Sequence, residues 1–319
     1  MTTSDIDLDR IKAIFYPHLA QKLAKVKEKG MRFVHYTNAE AAVNILRNKE
    51  VWMRNAITMS DFMEVEHGFR CLNQSYKGPP GILFKEVLES NFPNSAIELE
   101  QRFNAWLPII RRDTYLTCIS EHLESENEYG RLSMWRAYGE ATGVALVLNG
   151  DVFASQSDAL KAYTYPVSYL SAAELSNEFL KVAEVMKAES DYLQELGKER
   201  VFEFAFDLLR SFVVCTKHPG FQEELEWRVI HSPEMQPSTR LVQDVQVVAG
   251  IPQEIVKIPL RDIPDEGLIG AELPKLLNRI IIGPTQFPQA MYQAFHRLML
   301  EAKVPDPEKK IFISDIPLR

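Results

Sequence analysis

The stretch F-Q-E-E-L-E-W-R-V-I-H, residues 221–231, sets two carboxylates, Glu224 and Glu226, directly ahead of an apolar run that reads as a strand. Side chains two apart on a strand share a face, so a strand that begins early would send both carboxylates into the same volume. Carboxylates held that way can bind a sugar hydroxyl and stabilise an oxocarbenium-like centre as a leaving group departs. The plainer reading is an ion pair with Arg228, worth about 0–1 kcal/mol if exposed. From these residues alone both readings stay open.

On the C-terminal side, residues 245–248, 255–258 and 279–282 read as further strands, and Q-A-M-Y-Q-A-F-H-R-L-M-L (289–300) as an amphipathic helix. On the N-terminal side, residues 5–29 read as one helix stopped by Gly30, and 31–36 as a strand. Asn38 then caps a helix whose Ala42, Ile45 and Leu46 face inward. Residues 51–53, 113–120, 143–148 (G-V-A-L-V-L) and 162–169 also read as strands. K-G-P-P-G, within a polar stretch at 60–80, reads as a turn or linker, and E-H-L-E-S-E-N-E-Y-G (121–130) as a solvated acidic loop. Strands and helices follow no regular βαβ beat, which predicts an α+β fold. The expected organisation is a single domain over 1–319. It has an N-terminal helix at 5–29, a β core at about 31–60, 113–170 and 213–285, and helical insertions at about 82–110 and 172–212.

Hydrophobic residues make up 46% and charged residues 25% of the 319, which fits a packed core and not a disordered chain. A formal net charge of -8 argues against a broad basic surface for nucleic acid. Cys71, Cys118 and Cys215 are far apart in sequence, with no metal-ligand or disulfide spacing. The acidic N-terminus lacks the apolar core of a signal peptide, and no apolar run of about 18 residues exists to span a membrane. The expectation is a cytoplasmic protein without metal or membrane partner.

Phosphate-cradling glycine motifs, the nucleophile elbow G-x-S-x-G and H-E-x-x-H are all absent. Two other short motifs remain. His35-Tyr36-Thr37 ends a strand, where a histidine can hold a ribose hydroxyl and a tyrosine can stack; the alternative is a strand end that only caps the next helix. Thr117-Cys118-Ile119-Ser120 places hydroxyls on alternate faces of another strand. Trp52, Trp135 and Trp227 stand beside polar residues and are either core anchors or aromatic walls for a flat ligand.

Several of these pieces together resemble the bacterial domain-of-unknown-function family 2971. They are F-V-H-Y-T with A-A-V-N-I-L-R-N-K-E-V-W-M, T-C-I-S-E, S-M-W-R-A-Y-G-E-A-T-G-V-A-L-V-L, K-H-P-G-F-Q-E-E-L-E-W-R-V-I and R-I-I-I-G-P. The family's Asn-Asp is Ser60-Asp61 here, with Glu64 and Glu66 following. A more distant resemblance, in the order His-Tyr-Thr, Thr-x-x-Ser and Glu-x-Glu, is to the ADP-ribosyltransferase-like fold. It implies a split mixed or antiparallel β core decorated with helices and a helical insertion, and NAD as substrate.

Carried across residue by residue, the resemblance implies that His35, Tyr36 and Thr37 bind NAD, with Thr117 and Ser120 lining the nicotinamide pocket. Trp52 and Trp135 are secondary walls, Glu226 is catalytic, and Glu224 positions the acceptor. Asp61 and Glu64 form a second acidic cluster with no assigned role. The implied activity is nicotinamide release with ADP-ribose transfer, by a toxin or phage-defence effector. A protein acceptor is slightly favoured over nucleic acid by the net charge. The alternative is a non-catalytic module that senses a nucleotide or a partner.

Overall fold

A computed structural model describes residues 7–58, 62–139 and 141–317; the side chains of residues 29 and 62–64 lie outside it. The helix expected over 5–29 is two, α1 (Leu8–Phe15) and α2 (Pro17–Lys29). Pro17 starts the second, at a position where its missing N–H costs no hydrogen bond. β1 (Arg32–Asn38) leads into α3 (Ala39–Asn48), and the Asn38 side chain accepts the Ala41 amide at 2.9 Å as its cap. Ala42, Ile45 and Leu46 are the buried face of α3, as its spacing predicts. After β2 (Glu50–Asn55) come α4 (Phe62–Lys77), α5 (Pro79–Asn91) and α6 (Ser95–Arg112). The double proline therefore opens a helix and is not a linker. Pro79 and Pro80 fill the first turn of α5, where fixed φ angles help and amide donors are dispensable.

β3 (Tyr115–His122), the short α7 (Leu132–Met134), a π-helical turn (Trp135–Gly139) and β4 (Gly143–Asn149) follow. Then come β5 (Tyr163–Pro166), β6 (Ser168–Tyr169), α8 (Ala172–Ala188), α9 (Ser190–Leu196) and α10 (Lys198–Cys215). Ser171 and Glu174 form a reciprocal capping box at the start of α8. The chain closes with β7 (Thr216–Lys217), β8 (Glu226–His231), β9 (Val242–Val248), β10 (Ile251–Pro259), α11 (Leu273–Leu276), β11 (Leu277–Ile282), α12 (Pro288–Glu301) and β12 (Ile311–Ile313). The acidic loop expected at 121–130 is solvated only in part, at residues 123–125, at Glu128 and at Tyr129. Glu121 and His122 extend β3, and Glu121, His122 and Glu126 are buried.

The chain divides into two compact units, each assembled from three chain segments. Met1–Leu23, Ala56–Thr114 and Tyr165–Gln222 form a helical unit, which gathers both helical insertions and the N-terminal helix. Its interior is aromatic, with Phe179 5.1 Å from Phe84 and 5.5 Å from Phe212 between ring centroids. Gly68 lets α4 touch α10, because a Cβ there would lie 2.3 Å from the Val213 carbonyl oxygen. Asp207 accepts hydrogen bonds from Tyr16 (3.0 Å), Tyr165 (2.8 Å) and Arg210 (2.6 Å), so its charge is fully engaged.

Ala24–Asn55, Tyr115–Thr164 and Glu223–Arg319 form the sheet unit. Strands run in the order β12-β11-β4-β1-β3-β2-β10-β9, with β8 also on β3. β11 and β12 are parallel, whereas the β1, β2, β3, β4 and β8 pairings are antiparallel, which makes a mixed open sheet and an α+β fold. One face packs Val144, Leu146, Ile280 and Ile282 against α3 and α12. The opposite face packs Val34, Tyr36, Ala145, Val147 and Ile281 against Met134 and Trp135. At about 25 cal/mol per Å² of apolar surface, burial on both faces is the main force holding the sheet.

β3 is where this sheet branches. β8 ladders one edge continuously from Tyr115 to Ser120. On the other edge β2 meets only Tyr115 and Leu116, and β1 meets only Ser120, Glu121 and His122. Residues 117–119 have no ladder partner on that edge, and the sheet forks there.

Candidate functional site

The fork brings the three sequence motifs onto adjacent strands. Ser120 lies opposite Val34 of β1 on one side and opposite Glu226 of β8 on the other. Cross-strand partners share a face, so Ser120, Glu226, Arg228 and Tyr36 all belong to the face covered by Met134 and Trp135. His35 and Thr37, one residue out of phase, project from the face of Leu146 and Val144. Thr117, paired with Val229, is buried on that second face too. Trp52 stands apart on β2, in register with Lys257, and its indole donates to Glu50 at 3.1 Å.

His35 uses the broken ladder. Its Nδ1 lies 2.9 Å from the Cys118 carbonyl, an oxygen on the stretch of β3 that no strand ladders along that edge. A carbonyl can only accept, so Nδ1 carries the hydrogen and Nε2 presents a lone pair. Burial pushes the His35 imidazole below its ordinary value, and the Cys118 hydrogen bond opposes that shift only in part. The ring is therefore neutral near pH 7, with Nε2 as an acceptor.

Glu226 is the first residue of β8 and is 5% exposed. Arg228 donates to it through Nε at 2.8 Å and through a second guanidinium nitrogen at 3.4 Å. Glu224 does not share its face by strand alternation, because the strand starts too late. A 3-10 turn (Pro219–Glu224) ends at Glu224, and Leu225 adopts a left-handed φ of 46° before β8 begins. That backbone costs about 1–2 kcal/mol for a residue with a Cβ. It is held by the Glu121 amide, which donates to the Leu225 carbonyl at 2.9 Å. Glu224 instead faces Tyr138, whose hydroxyl lies 3.5 Å from its carboxylate.

Arg131 organises this corner, and nothing in the local sequence marked it. Its guanidinium donates to both oxygens of Glu126 (2.6 and 3.1 Å) and to the carbonyls of Glu121 (2.8 Å), Glu223 (2.6 Å) and Glu224 (3.1 Å). Its backbone amide donates to the Tyr36 hydroxyl at 2.8 Å. One residue thus fixes the turn before β8, the end of β3 and the tip of Tyr36. A solvated reading of 121–130 hides it, because a buried Glu126–Arg131 pair looks like surface charge in sequence. Trp227 is likewise held, its indole donating to Glu121 at 3.0 Å and its ring meeting Phe33 edge-on at 5.1 Å.

Trp135 is a packed anchor. A Cβ at Gly130, Gly139, Gly143 or Gly283 would come within 2.6 to 3.3 Å of its indole, so four glycines wall the ring. Its Nε1 donates to the Tyr129 carbonyl at 2.7 Å, and Tyr36 meets it edge-on at 4.9 Å. Burial raises the Tyr36 phenol, which stays protonated as the acceptor of the Arg131 amide.

Of the second acidic cluster, Asp61 lies outside the described residues, and Glu64 falls in α4 with its side chain outside them. Glu66 pairs with Arg111 at 3.0 Å. Among the described residues no three His, Cys, Asp or Glu side chains group to hold a metal ion, and no helix is long and apolar enough to cross a membrane.

No curated protein and no solved structure matches the chain. A family model does: the one described as protein of unknown function (DUF2971) matches residues 134–229. The match runs from the π-helical turn through most of β8, taking in Trp135, Glu224 and Glu226 but not His35 or Ser120. Over residues 134–229 the chain is similar to the domain-of-unknown-function family 2971.

Proposed function

We infer that the fork in the sheet unit binds NAD and that the protein is an ADP-ribosyltransferase-like enzyme. The observation that carries this reading is that His35, Ser120 and Glu226 stand on the adjacent strands β1, β3 and β8 beside the unladdered stretch of β3, Ser120 and Glu226 on one face and His35 reaching the Cys118 carbonyl from the other. On this reading the neutral His35 accepts a ribose hydroxyl through Nε2, Ser120 lines the nicotinamide side, and Arg228 keeps Glu226 oriented. The C1–N glycosidic bond breaks, nicotinamide leaves with the bonding pair, and an anionic Glu226 stabilises the charge that develops on the ribose. A nucleophile on an acceptor, a protein side chain or water, then bonds C1 and loses its proton, with Glu224 beside it. The test is nicotinamide release from NAD by the full chain. Release that survives Glu226→Gln removes that residue from the chemistry, and no release with any acceptor removes the reading.

A second reading has its own observation. Glu226 is 5% exposed and engaged by Arg228, while His35 projects from the other face of the sheet. A structural ion pair beside a non-catalytic nucleotide site has these features. Thermal stabilisation by ADP-ribose or NAD without turnover selects this alternative, because a ligand that binds only the folded state raises its stability.

A further inference from the structure

Arg32 opens β1 and Arg279 lies in β11, yet both guanidinium groups converge on one neutral oxygen. Arg32 donates to the Asn278 side-chain oxygen at 3.4 Å and Arg279 to the same atom at 3.1 Å. Asn149, the residue opposite Arg32 on β4, fixes that amide by accepting from its nitrogen at 3.0 Å. Arg279 also donates to the Asn127 carbonyl at 3.1 Å and lies over the Phe312 ring at 4.9 Å. Neither arginine has a carboxylate partner among the described residues, in a chain whose formal net charge is -8. Both are half-buried, and burial together with the charge of Arg32 depresses Arg279 from its ordinary value.

His122 lies beside the pair, opposite Arg32 across the β1–β3 ladder. Its Nε2 lies 3.0 Å from the Asn127 side-chain oxygen, and its buried Nδ1 has no hydrogen-bond partner. The nearest carboxylate, Glu126, is 3.8 Å from that Nδ1, but both its oxygens are taken by Arg131. Two repelling cations on neutral acceptors make an arrangement that an anion would relieve, whereas the neutral His122 donates from Nε2 to the Asn127 oxygen and keeps a lone pair on Nδ1, so it joins only by taking up a proton. Guanidinium forks match the oxygens of a tetrahedral oxyanion, and charge-assisted bonds of that kind are the strong ones.

We propose that Arg32 and Arg279, beside His122, form a binding site for a phosphate-class oxyanion at the sheet end where β1 and β11 begin and β3 stops. The site uses none of His35, Ser120 or Glu226, and it stands whether or not NAD is consumed. It lies on the same sheet face as Ser120, two residues along β3, or about 7 Å away. Free phosphate and the phosphate of a nucleotide present the same chemistry, and the two are separated by their affinities.

The experiment is calorimetric titration of the full chain with inorganic phosphate and, separately, with ADP, in chloride buffer of matched ionic strength. Wild type binds phosphate saturably, and Arg32→Gln and Arg279→Gln each weaken it by about tenfold or more. Glu226→Gln leaves phosphate binding unchanged, which separates this site from the transferase reading. ADP bound more tightly than phosphate and lost in the same variants identifies a phosphate ester; equal affinities identify the free ion. Absence of saturable binding by wild type for both probes overturns the proposal, as does binding that neither arginine substitution alters. The His122 ring resonances, followed by NMR as phosphate is added to wild type, give a readout that needs no variant. They shift on binding, and unchanged resonances at saturation contradict the site.

Discussion

Arginine occurs in two settings on one face of this sheet. Arg228 is 1% exposed and has Glu226 two residues away on its own strand, so charge is cancelled locally where it is buried. Arg32 and Arg279 come from opposite ends of the sequence, share one amide oxygen, and have no carboxylate among the described residues. The first setting consolidates β8 against β3. The second leaves positive charge unsatisfied at the margin of the sheet, an arrangement that favours a bound anion over an empty site. The contrast lies in which charges have partners, since β8 and β1, which carry Arg228 and Arg32, both pair with β3.

Removing Arg228 should break the first setting outright. Arg228→Met leaves Glu226 buried without its guanidinium partner and should cost about 3–5 kcal/mol in urea unfolding. A loss under about 1 kcal/mol would mean that the pair is not buried as described. The next effect is pH-dependent and belongs to the second setting. Burial lowers His122 from 6.5 to about 4, with Arg32 and Arg279 adding to the shift and Asn127 and Glu126 opposing it. The folded state therefore binds fewer protons than the unfolded one between those values. Its stability is complete above about 6.5 and should fall by on the order of 2 kcal/mol as pH drops toward 4. His122→Asn should flatten that slope, and an unchanged slope would show that other groups cause it.

Smaller effects complete the comparison. Asn38→Ala removes the cap of α3 and should cost about 1 kcal/mol, with no change in phosphate affinity. Arg279→Gln without phosphate should change stability by less than about 1 kcal/mol, because lost hydrogen bonds are offset by relief of the repulsion with Arg32. A large destabilisation there would make Arg279 a structural residue like Arg228.

Much of the local structure was legible. The Asn38 cap, the inward face of α3, the apolar run of β4 and the last long helix all follow from spacing and capping chemistry. The three motifs were also legible, because each is short and lies within or beside a strand. Their meeting was not: it depends on β3 pairing with three strands, and no residue of β3 announces a missing ladder at 117–119. Phase was misleading at Glu224, where the left-handed Leu225 interrupts the alternation that a continuous strand would impose. Pro79 and Pro80 read equally well as a turn and as a first helical turn. The convergence of Arg32 with Arg279 has no local signal at all, since the Asn278 that joins them is set by the register shift between β4 and β11.

The central claim is that NAD is consumed at the fork of β3. Initial rates of nicotinamide release by wild type, His35→Ala and Glu226→Gln test it most directly, with circular dichroism establishing that each variant is folded. The account predicts release by wild type that falls by about a hundredfold or more in folded Glu226→Gln, the scale expected for loss of one electrostatic stabiliser. It predicts a smaller fall in His35→Ala. No release from wild type, or equal rates in all three, would contradict it.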